Sequence, residues 1–242
     1  MEQFLVFSSL FVSVILGGLI VTFLHASNKQ KFIKLMLSFS GGFLLSIAFI
    51  HFVPELYSSG TKNIGVYILI GFLVQLVLEF FSGGIEHGHV HVHKGQKMPW
   101  GLFISLSFHS LLEGIPLGNQ YTSHLDNHHH AHDGNSLLFG ILFHQLPVAV
   151  ALMTLLMNTN ISKLKAWTIL IAFGLMTPLG LVVGLMSNGA IALDFNIILA
   201  IVVGMFLHIS TTIIFETSEN HKFNVLKLTS ILTGCSLAFL MN

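Results

Sequence analysis

The sequence predicts an all-α, polytopic membrane protein with eight transmembrane helices, and three observations predict it. Hydrophobic residues make up 53% of the chain and charged residues only 8%, with a mean hydropathy of +0.82, whereas a soluble domain carries about 25% charged residues. The apolar residues fall into runs of roughly 20, the length that takes a helix through a hydrocarbon core about 30 Å thick. Lysines, the chain's sole strongly basic residues, gather in alternate loops between those runs.

The runs follow one another at 4–24, 35–56, 64–82, 99–120, 136–157, 165–186, 190–213 and 225–241. Met1-Glu2-Gln3 before the first lacks the positive charge of a signal peptide, so this run reads as a retained helix. The second closes on Pro54-Glu55, and the fourth opens at Pro99. Thr177-Pro178-Leu179-Gly180 sits inside the sixth, and Asp194 makes the start of the seventh the hardest to fix. The eighth holds the single cysteine, Cys235, which reads as a small hydrophobe and leaves no disulfide within one chain. Gly114 with Gly118, and Gly180 with Gly184, have the four-residue spacing that lets helices approach closely.

Loops after spans one, three, five and seven carry Lys29, Lys31, Lys34, Lys94, Lys97, Lys163, Lys165 and Lys222, with Lys227 just inside span eight; the opposite side has Lys62 alone. The positive-inside tendency then puts these loops in the cytoplasm and both termini outside, in agreement with an even span count. With zero formal net charge and no arginine, nothing forms a nucleic-acid footprint. The chain thus reads as one transmembrane domain over 1–242, with a cytoplasmic histidine-rich loop at 83–98 and an extracytoplasmic His/Asp-rich loop at 121–135.

The chemistry lies in spans four and five. A charge at a helix centre costs about 2.5 to 3.5 kcal/mol on insertion scales, so an intramembrane ionisable group is a functional candidate by default. His109 and Glu113 are one turn apart and share a helix face. At 1.5 Å per residue they lie roughly 15 and 21 Å in from the cytoplasmic side, and His144 lies roughly 12 Å below the outer boundary. These depths nearly coincide, so one ion can touch all three. Imidazole nitrogen with carboxylate oxygen suits zinc, iron(II) or manganese(II) better than calcium or copper(I). Ser110, Gln145 or water would fill the remaining position, an incomplete shell that allows release. Pro116 and Pro147 free the carbonyls of Leu112 and Phe143 beside the proposed ligands. The bland alternative is that each polar residue merely hydrogen-bonds a neighbouring helix.

These residues resemble the Zrt/Irt-like (ZIP) family of divalent-metal transporters. The family's fourth-span pattern, His-Ser-x-x-Glu-Gly-x-x-x-Gly, runs from His109 to Gly118, and its fifth-span His-x-x-Pro is met by His144 and Pro147. Span count, outward termini, the histidine-bearing loop after span three, Pro54-Glu55 and the Pro-x-Gly segment of span six also match. The resemblance implies a transporter rather than an enzyme, with a 3+2+3 arrangement in which spans one to three and six to eight form inverted repeats around spans four and five. Where members with a binuclear centre have carboxylates, this chain has Val148 and Thr177, and Gln145 is uncharged. A single mononuclear site of His109, Glu113 and His144 is therefore expected.

Further polar residues suggest a path. His51 and Glu55 lie one turn apart near the outer face; His208, Thr212 and Glu216 form a stripe toward the cytoplasm; and Thr177 lies beside the centre. The inner loop alternates His87, His89, His91 and His93, and the outer loop holds His124, Asp126, His128, His129, His130, His132 and Asp133. Such tracts bind metal transiently, since a flexible chain supplies many ligands without fixed geometry. The leading reading is uptake of a divalent ion (zinc first, then iron(II), manganese(II) or cadmium) across the cell membrane, plasma or inner, by alternating access. The partners are that ion, the lipid bilayer and, with the oligomeric state left open, a second copy in a homodimer. An intramembrane zinc hydrolase is the second reading, opposed by the absence of a His-Glu-x-x-His pair. A haem-bearing electron carrier using His51, His109, His144 and His208 is the third, and it leaves Glu113 and the histidine loops unexplained.

Overall fold

The computed structural model describes residues 2–23, 29–82, 98–123, 133–190, 194–215 and 225–241, which are almost wholly helical. In chain order the helices are α1 (Glu2–Phe23), α2 (Lys29–Ile47), a π turn (Ala48–Phe52), α3 (Val53–Ser58), α4 (Ile64–Ser82), α5 (Trp100–Ser123), α6 (Asp133–Asn158), α7 (Lys163–Gly174), α8 (Met176–Ala190), α9 (Phe195–Phe215) and α10 (Val225–Leu240). Among the described residues seven continuous helical stretches are long and apolar enough to cross a membrane. An eighth apolar helix, Val225–Leu240, is 16 residues long, about 24 Å at 1.5 Å per residue.

Local chemistry sets where these stretches bend and stop. Pro54 has no N–H to give Ile50, and the helix absorbs the loss just before it by winding into a π turn, in which the Val53 N–H reaches back five residues to the Ala48 carbonyl. Pro178 likewise cannot donate to Gly174, and the sixth span breaks there into α7 and α8 around Leu175. Ser162 caps α7 by accepting the Lys165 N–H at 3.3 Å, and Asp194 Oδ1 accepts the Asn196 N–H at 2.9 Å. This second cap explains why the seventh span begins at Phe195 rather than near the expected 190: the carboxylate starts the helix.

The helices pack as two sets. α1, α5, α6 and the α7–α8 pair contact one another, as do α2, α4, α9 and α10, and the seam between the sets runs along α2 on α6, α4 on α5 and α5 on α9. Glycines make the tightest contacts. A Cβ added to Gly114 would sit 2.1 Å from the Thr177 carbonyl oxygen, and one added to Gly180 would sit 2.1 Å from that of Leu111, so α5 and α8 touch backbone to backbone. The outer side of α4 exposes Val66, Leu69, Leu73, Leu76, Val77 and Phe80, a surface that suits hydrocarbon and would be an aggregation hazard in water.

Buried side chains form two apolar clusters. One includes Leu102, Leu106, Val148 and Leu152; the other includes Leu117, Leu137, Ile141 and Leu181. Along α5 and α6 the clusters leave a gap between Leu106 and Leu117 and between Ile141 and Val148, and a polar layer fills it.

Candidate metal centre

His109 and Glu113 project into that layer from α5, His144 from α6, and all three are 2% exposed or less. Nε2 of His109 lies 2.7 Å from Oε1 of Glu113. The His144 ring stands edge-on to that of His109, with centroids 5.8 Å apart and planes at 81°. One ligand atom from each of the three lies within 4.8 Å of the others. Donors around one zinc at about 2.0 Å stand about 3.3 Å apart in a tetrahedron, so shifts of about an ångström bring these three onto one ion. Among the described residues this is the one group of three or more His, Cys, Asp or Glu with that geometry.

The rings are also held from behind. Nδ1 of His109 is 2.8 Å from Oε1 of Gln75 on α4, and Nδ1 of His144 is 3.2 Å from Oγ of Ser40 on α2. Sequence reasoning missed both partners. A signal for Gln75 existed: it interrupts the apolar run of α4, one turn from Glu79, in the pattern that drew attention to His109 and Glu113.

The other candidates fall into different places. Ser110 is buried next to His109. Gln145 is engaged by other helices: its Nε2 donates to Thr177 Oγ1 at 2.9 Å and its Oε1 accepts from Ser13 Oγ at 3.3 Å. The carboxamide thus ties α6 to α8 and α1, and Thr177 is part of that tie. Val148, where a second carboxylate would stand, is buried in an apolar cluster.

His51 lies in the π turn, partly buried, with an Nδ1 that finds no hydrogen-bond partner among the described residues. Glu55 follows on α3, and neither belongs to the central cluster. His208 on α9 is hydrogen-bonded through Nε2 to Glu79 of α4, a partner the sequence reading did not supply, and its ring packs edge-on against Phe72 with centroids 4.7 Å apart. Thr212 Oγ1 donates to the His208 carbonyl at 2.8 Å. Glu216 lies outside the described residues, as do His87, His89, His91 and His93 of the inner loop and His124, Asp126, His128, His129, His130 and His132 of the outer loop.

No curated protein matches the chain. The family described as ZIP Zinc transporter matches residues 85–242, a stretch that begins between α4 and α5 in the sequence and includes all three residues of the central cluster. That match covers well over half of the sequence. With its apolar, membrane-length helices and its buried His/Glu/His cluster, the chain belongs to the ZIP zinc transporter family, multi-pass membrane proteins that transport divalent metal ions.

Proposed function

We propose that the protein takes up a divalent cation, zinc first, across the cell membrane, plasma or inner, and that His109, Glu113 and His144 hold this cargo as a single mononuclear site. The observation that carries the reading is the convergence of two imidazoles and one carboxylate, all buried, within 4.8 Å. A buried anionic group next to two nitrogen donors favours a desolvated dication over water, and nitrogen with oxygen ligands favours zinc or iron(II) over calcium. Water completes the shell, because the Gln145 carboxamide is engaged by Ser13 and Thr177. An incomplete shell exchanges its ion more readily than a closed one.

Transport is by alternating access, through movement of α5 and α6 against α2, α4 and α9. The seam supports this, since it separates the ligand-bearing helices from those behind the histidines. Eight spans, outward termini and a 3+2+3 inverted repeat are part of the same reading. The closest helix pairs support the repeat: α1 with α6, α5 with α8, α2 with α10 and α4 with α9. Mapping spans one to three onto six to eight, and four onto five, converts the first pair into the second and the third into the fourth. His51 with Glu55 guides the ion inward, Thr177 flanks its passage, and His208 with Glu216 guides it out. A homodimer in the bilayer is the proposed assembly.

Proteoliposomes loaded with a zinc-sensitive dye test the proposal. External zinc should raise the internal signal saturably, and His144→Ala should raise the half-saturating concentration at least tenfold, because one of three donors is gone. A flux that His144→Ala leaves unchanged would remove His144 from the site. A hydrolase or a haem carrier gives no vectorial influx; the hydrolase also lacks a second carboxylate in the cluster among the described residues.

The histidine loops concentrate and hand on metal in this reading. Deleting residues 124–132 should raise KM for zinc several-fold at low external zinc and leave kcat nearly intact, because the tract adds local concentration and no step of the crossing. An unchanged KM would argue against capture.

A further inference from the structure

Both histidines of the centre are gripped at Nδ1, and both grips come from the opposite helix set. Gln75 on α4 and Ser40 on α2 are 0% exposed. Their chain neighbours are Val74 and Leu76 in one case and Phe39 and Gly41 in the other. Placing a carboxamide and a hydroxyl in such surroundings is costly unless each makes a hydrogen bond, and each makes one to a histidine Nδ1, at 2.8 and 3.2 Å.

A neutral imidazole has one N–H and one lone pair, and the bond at one nitrogen decides what the other offers. A carboxamide oxygen can only accept, so Gln75 Oε1 keeps the proton on Nδ1 of His109. The lone pair is then on Nε2, the atom 2.7 Å from Glu113 Oε1. A hydroxyl can accept as well as donate, so Ser40 Oγ, 3.2 Å from His144 Nδ1, can take the same role for the second ring. We propose that Gln75 and Ser40 are positioning residues that set both imidazoles as the Nδ1–H tautomer and so present Nε2 to the divalent cation. This rests on the reading of His109, Glu113 and His144 as the cation site.

The consequence for transport is specific. Outer partners of metal-bound histidines typically change affinity 10- to 100-fold when lost. Gln75→Met keeps the volume and removes the oxygen, so KM for zinc should rise at least tenfold while kcat holds or increases, since a looser ion leaves sooner. Gln75→Glu restores an acceptor and adds charge, so KM should return to the wild-type value or below, with kcat reduced. Ser40→Ala should follow Gln75→Met. A packing defect would depress kcat in both Gln75 variants and would not be rescued by glutamate.

A second measurement needs no variant. Wild-type protein with nitrogen-15 histidine, loaded with cadmium-113 ions, should show metal–nitrogen coupling to Nε2 and a proton on Nδ1 of both His109 and His144. Coupling to Nδ1 of either ring overturns the positioning role and leaves the site standing. Coupling to neither overturns the site itself, and the positioning role with it. An unaltered KM in folded Gln75→Met would also overturn the proposal.

Discussion

Proteoliposomes carrying Glu113→Gln are expected to show no zinc influx above that of empty vesicles, with the protein still folded and inserted. Glutamine fills the same volume, so the packing of α5 persists. The charge does not: a carboxylate 1% exposed is the anion of the cluster, and in a low-dielectric layer its attraction for a dication far exceeds that of an amide oxygen. Loss of an outer partner already costs 10- to 100-fold in affinity, so loss of this inner donor should cost well over 100-fold. Thermal unfolding in detergent provides an independent reading. Zinc at 100 times its Kd should stabilise the wild type by about 2.7 kcal/mol through linkage, whereas the variant should gain nothing. The zinc-free variant should be at least as stable as the wild type, because a buried charge has been removed. Undiminished influx through Glu113→Gln would refute the assignment of this residue.

His109 and Glu113 were legible because a helix turn separates them and because hydrocarbon makes every ionisable group conspicuous. His144 was legible by depth. What surrounds them was not, since partners on other helices depend on which helices pack. Gln75 and Ser40 lie 34 and 104 residues from the histidines they hold, and no spacing rule links them. Gln145 shows the opposite difficulty: adjacent to His144 in sequence, it points about 100° around the helix and meets Ser13 and Thr177. Apolar runs located the long helices to within about six residues, because length and hydropathy are what a bilayer selects. The π turn before Pro54 and the break at Leu175 follow from prolines visible in the sequence, but whether a helix kinks, unwinds or closes over a missing donor is decided by its neighbours.

Gly180→Ala is expected to be among the most damaging single-methyl changes available in this chain. The new Cβ would stand 2.1 Å from the Leu111 carbonyl oxygen and 3.0 Å from the Gly114 Cα, and both are backbone, so no side-chain rotation relieves the contact. The helices must separate. Overpacking within a core costs about 1 to 3 kcal/mol, and a backbone clash belongs at or above the upper end, which corresponds to a Tm lower by roughly 10 °C for a chain of this size. Gly101→Ala is the matched control: its Cβ would meet the Phe81 carbonyl oxygen at 3.5 Å, ordinary contact, and its Tm should stay within about 2 °C of wild type. The functional effect should exceed the loss of stability. α5 carries His109 and Glu113, whereas His144 rides on α6, so pushing α5 away from α8 changes the distance between the proposed ligands from different helices. A site loosened by about 1 Å loses much of its grip, and Gly180→Ala protein that remains folded should bind zinc at least tenfold more weakly, measured by the zinc-induced Tm shift. Wild-type zinc affinity in that variant would mean that the α5–α8 contact serves folding alone.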